Sequence, residues 1–80
     1  MEEYLDGKTK RRIIECFIII ERDKSYLLEP AIEELPEDIK VDRSWFPKSQ
    51  ITLLKYTDDT HAEFDIPMWL LEEKAWDWRP

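Results

Sequence analysis

The run "RIIECFIIIERDKSYLLE", residues 12–29, decides how the chain is read. Ile14, Cys16, Ile18 and Ile20 share one parity and are all apolar. Ile13, Glu15, Phe17, Ile19 and Glu21 share the other, which is mixed. Dense β-branching with a period of two favours a strand over a helix. The mixed second face predicts partial cover rather than full wetting. "RDKS" then supplies turn formers in Asp23 and Ser25, and "YLLE" returns as the partner strand of a hairpin.

Downstream, "RSWFPKSQI" (43–51) sets Trp45 and Phe46 directly before Pro47. A proline is tolerated on an edge strand, at a strand start or at a bulge, so Pro47 predicts a bend in one long strand over 44–56. The aromatics beside it are then mainly a structural anchor. "TDDT" (57–60) is a turn, and "HAEFDI" alternates cleanly, with Ala62, Phe64 and Ile66 inward and His61, Glu63 and Asp65 outward. Pro67 opens a helix through "MWLLEEKAW", whose core stripe is Met68, Leu71 and Ala75 with Leu70 beside it. That helix is expected to fade by Trp76–Trp78. Between the two β regions, residues 30–43 form an acidic connection with room for one helical turn between Pro30 and Pro36. Ile32, Leu35, Ile39 and Val41 are spaced to pin it to the core. Residues 1–10 read as a frayed start.

The expected fold class is therefore α+β in one domain, residues 1–80. The leading arrangement is a small curled antiparallel sheet of about four to five strands, an SH3-like or OB-like partial barrel with a C-terminal helix. The alternative is an open antiparallel sheet with the helix packed on one face. Eighty residues with 42% hydrophobic content suit a single compact core. No apolar run is long enough to cross a bilayer as a helix, and the first twenty residues are charged, so no membrane association is expected. Cys16, the single cysteine, permits no internal disulfide and points to a reducing, cytoplasmic setting.

The net charge of −7 is concentrated in residues 29–42 and 58–65. A protein gripping phosphate across its surface would carry the opposite sign, which disfavours direct nucleic-acid binding. One glycine makes neither a phosphate loop nor a dinucleotide fingerprint. Cys16 and His61 are the one thiol–imidazole pair, and Cys16 should point inward, so no catalytic residue is assigned and no enzyme is expected. Asp58, Asp59, His61 and Glu63 stand close enough to suggest a cation site, yet a solvated acidic turn explains them as well; no metal and no cofactor are expected.

"SWFPKSQI" (44–51) together with "FDIPMWLLEEK" (64–74) resembles small proteins encoded by bacteriophages and prophages. In those proteins a W-[LIF]-P-K-S-Q-[IV] strand is followed by a P-x-W-L helix start. The acidic insert at 29–42 and the lack of a glycine after the helix depart from that pattern. The resemblance carries over no catalytic residues. It implies an accessory protein of a mobile element, and it raises the prospect of an acidic, anti-CRISPR-like inhibitor of a host nucleic-acid-binding defence complex.

Three readings of the surface follow. In the first, a protein partner meets exposed aromatics at Trp69, Trp76 and Trp78, while acids at Glu29, Glu33, Glu34, Glu37, Asp38, Asp58, Asp59 and Glu63 steer it electrostatically. In the second, Trp45, Phe46 and Lys48 form a stacking platform for single-stranded nucleic acid. In the third, unpaired strand edges and leftover aromatics make a structural or homodimeric component.

Overall fold

The structure is a computed structural model and describes residues 2–79. Strands β1 (Glu2–Asp6), β2 (Thr9–Glu21), β3 (Ser25–Pro30), β4 (Ser44–Pro47), β5 (Thr52–Tyr56) and β6 (His61–Pro67) precede helix α1 (Met68–Glu73). They form one six-stranded antiparallel sheet in the order β4-β3-β2-β6-β5, with β1 also on β2. The sheet is open, ending at β4 on one side and β5 on the other. The fold is thus the α+β open sheet carrying a short helix, rather than the partial barrel.

Thirteen residues long, β2 organises the rest. Its first half pairs β1 and its second half pairs β3 along the same edge, while β6 runs along the other edge from Arg11 to Phe17. Between β1 and β3 that edge is continued by Ala31, whose N–H donates to the Glu15 carbonyl at 3.0 Å. The parity of "RIIECFIIIE" holds through Cys16: Arg12, Ile14 and Cys16 are buried. It then breaks, because the register shifts between Ile18 and Ile20 and turns Ile20 into solvent.

The frayed start is corrected. Residues 2–6 are a strand, joined to β2 by a two-residue loop whose first member, Gly7, has φ +63°. Glycine at that place is what a tight hairpin turn of the II′ kind requires. The single bent strand over 44–56 is also corrected: it is two strands on opposite edges of the sheet, β4 on β3 and β5 on β6, separated by a turn. Pro47 ends edge strand β4, where its missing N–H interrupts no ladder.

One face of the sheet is covered. Ala62, Phe64 and Ile66 of β6 lie under Leu70 and Leu71 of α1, together with Phe46, Trp76 and Trp78. The helix ends three residues earlier than Trp76. Trp76 N–H donates to the Leu71 carbonyl at 2.7 Å and Ala75 N–H to the Glu72 carbonyl at 3.2 Å, a Schellman closure with Ala75 at φ 59°. That left-handed residue reverses the chain and swings Trp76 inward. Ala75 itself is exposed rather than part of a core stripe.

Candidate partner-binding surface

The aromatic half of the expected site comes apart in the fold. Trp76 is fully buried and Trp78 nearly so. Their rings stand 6.0 Å apart, and Phe46 meets Trp76 edge-on at 4.8 Å. They are core residues, not interface residues, because the Schellman reversal returns the tail across the sheet. Trp69 alone of the three remains outside, at 50% exposure. The two buried indoles still serve the surface indirectly. Trp76 Nε1 donates to the Asp42 carbonyl at 3.0 Å and Trp78 Nε1 to the Glu34 carbonyl at 3.1 Å, fastening the acidic connection at two points.

The nucleic-acid platform is corrected as well. Trp45 and Phe46 alternate across β4, so Phe46 is buried while Trp45 lies outside beneath the Arg22 guanidinium, 5.1 Å from its ring centroid. Lys48 is occupied by Glu21 at 2.6 Å and sits over the Tyr26 ring. No shared stacking surface exists among these three.

The acids fare differently. Glu33, Glu37 and Asp38 are exposed on the connection, which holds one 3-10 turn at Ile32–Glu34. Glu29 on β3 pairs loosely with Arg43 at 3.7 Å. Asp58 is largely structural: its Oδ1 accepts from the Thr60 and His61 backbone N–H groups at 2.7 and 2.8 Å. Those bonds, the Thr60 N–H first and the His61 ring with them, lower its carboxyl to about 2. Asp59 is exposed beside it in the same turn.

The two acidic stretches meet on the face of the sheet away from the helix. Glu34 from the connection and Glu63 from β6 line one hollow of about 270 Å³, and Glu2, Ile13 and Glu15 complete it. Glu15 and Glu63 are direct cross-strand partners in the β2–β6 ladder, an arrangement that costs stability when both carry charge. Glu15 accepts a hydrogen bond from Thr57 Oγ1 at 2.7 Å, and Glu63 has Lys55 at 3.8 Å. Glu2 and Glu15 escape a reading of the sequence by clusters, since each stands apart from the acidic runs. The cross-strand register was the missing signal.

Beside the hollow lies a cavity with a mainly apolar lining. The Phe17 and His61 rings meet at a tilt of 58° with centroids 5.0 Å apart, and Ala31, Ile32, Leu35 and Val41 line the same cavity. Leu35, Ile39 and Val41 pack on the core as their spacing predicts, but Ile32 is 84% exposed, since the 3-10 turn points it outward. Among the described residues no helix is long and apolar enough to cross a membrane, and no His/Cys/Asp/Glu group has the geometry to hold a metal ion. Compared with protein-family models, curated proteins and solved structures, the chain matches none at a significant level.

Proposed function

We propose that this protein is a non-catalytic protein–protein interaction module whose acidic sheet face receives a cationic partner. The observation that carries the reading is the Glu15–Glu63 cross-strand pair inside a hollow that also takes in Glu2 and Glu34. Like charges directly opposite one another weaken a sheet, and a lysine or arginine from a partner relieves the repulsion. The partial resemblance of residues 44–51 and 66–74 to phage-encoded proteins supports a finer version of the reading. In it the chain is an accessory protein of a mobile element that occupies the basic groove of a host nucleic-acid-binding defence complex, in the manner of an anti-CRISPR inhibitor, in the host cytoplasm. Direct nucleic-acid binding is disfavoured by the net charge of −7 and by the burial of Phe46.

Capture from a bacterial host lysate tests this reading, comparing the wild type with Glu15→Gln/Glu63→Gln. The wild type should retain a basic protein at low salt and release it as salt rises, since exposed charges lose influence beyond a Debye length of about 8 Å at physiological ionic strength. The double variant should retain much less. Equal retention by both proteins, or tight binding of a short single-stranded oligonucleotide instead, would contradict it.

A further inference from the structure

The acidic hollow is one part of a larger composite surface. Two adjoining cavities of about 610 and 310 Å³ share Glu29, Ile32, Leu35 and Val41 and form one groove along the connection. Its floor is apolar, with Pro36 and Ile39 added at the outer end and Phe17 and His61 at the inner. The outer cavity is lined by Glu29, Glu37 and Asp42 against one cation, Lys40. The 3-10 turn stands between groove and hollow, with Ile32 lining the first and Glu34 the second.

From this juxtaposition we infer that the groove docks a segment of a partner protein in which apolar side chains alternate with lysine or arginine. The apolar side chains enter between Ile32, Leu35 and Val41, and a neighbouring cation crosses the 3-10 turn into the Glu15–Glu63 hollow. Charge complementarity selects this occupant. A second copy of a chain carrying −7 would bring acid to acid, and a nucleic acid would bring phosphate to the same carboxylates. The groove is also set in place before the partner arrives. The indole N–H bonds of Trp78 to Glu34 and of Trp76 to Asp42 hold the connection at both ends, which lowers the ordering cost of binding.

The inference rests on the interaction-module reading and narrows it to one place. Its test is a nuclear magnetic resonance titration of the isotopically labelled full chain with three synthetic peptides. One carries a leucine–isoleucine pair between lysines, one replaces that pair with serines, and one replaces the lysines with glutamates. The first should shift the amides of Phe17, Ile32, Val41 and Glu63 saturably, and the other two should bind about tenfold more weakly. Ile32→Ser, at a site too exposed to threaten the fold, should weaken the first peptide about fivefold. Glu15→Gln/Glu63→Gln should weaken it similarly and flatten its salt dependence. Equal binding of the serine peptide, or no saturable shift, would overturn the inference. Shifts centred on Trp69 would overturn the docking site alone and leave the broader reading standing.

Discussion

Ala75 shows how much one backbone angle decides. Its φ of 59° closes α1 and sends Trp76 into the core, at a position where helices that close this way usually carry glycine. A side chain there strains the left-handed conformation, so Ala75→Gly should raise stability by about 0.5–1 kcal/mol, read from the urea midpoint. A loss of stability would show that the strain lies elsewhere. Arg12 is the other decisive residue. It is a fully buried cation whose guanidinium reaches Glu3 at 2.6 Å, the Trp76 carbonyl at 3.2 Å and the Trp78 ring at 5.7 Å. Glu3→Ala leaves that cation without its carboxylate and should cost roughly 2–4 kcal/mol, whereas Glu2→Ala one residue away should change stability by less than about 0.5 kcal/mol. Equal costs would contradict the role given to Arg12. Neither residue announces this in sequence. Alanine is an ordinary helix residue until the closing hydrogen bonds are known, and Arg12 reads as part of the solvated cluster "KTKRR".

Among the elements, β2, β3, β6 and α1 were legible because periodicity and burial agree over most of each, failing where the β2 register shift exposes Ile20 and where Asp65, expected outward on β6, is buried against Arg11 and Tyr4. Ala62, Phe64 and Ile66 alternate in sequence and are all fully buried. β1 was not legible, because its charged residues conceal a strand held by cross-hairpin and tertiary polar contacts: Glu3 meets Arg12, Lys10 and Arg79, and Tyr4 donates a hydrogen bond to Asp65. The split of 44–56 into two strands was hidden for a related reason. Both halves are short edge strands, and only pairing with β3 and β6 distinguishes them from one bent strand. The Glu3 pairings have a consequence for acid stability. Hydrogen bonding to Arg12, with Lys10 and Arg79 assisting, lowers the Glu3 carboxyl from 4.5 to about 2. A depressed folded-state value means the stabilisation is complete above 4.5 and disappears as pH falls toward 2, where the unfolded chain takes up the proton first. The protection of the Glu2–Asp6 amides, taken relative to their intrinsic exchange rate at each pH, should therefore fall across that window before that of the β6 amides does. Protection of β1 that persists unchanged to the bottom of the window would contradict this.

Taken together, these elements make a sheet with one face closed by aromatic packing and the other left acidic, with an apolar groove alongside. The sequence showed the excess of charge but not its convergence. Glu15 and Glu63 are 48 positions apart and become neighbours only through the β2–β6 register. It also overstated the aromatic contribution, since tryptophan count says nothing of which indoles a chain reversal will bury. The central proposal is that the folded chain holds a self-repelling carboxylate face that a cationic partner relieves. Urea unfolding of Glu15→Gln at low ionic strength tests it most directly, because glutamine keeps an oxygen for Thr57 while removing the charge facing Glu63. The free variant should be more stable than the wild type by roughly 0.5 kcal/mol, with the gain fading as salt is added. A variant less stable than the wild type, or equally stable at every salt concentration, would mean that the face carries no repulsion for a partner to relieve.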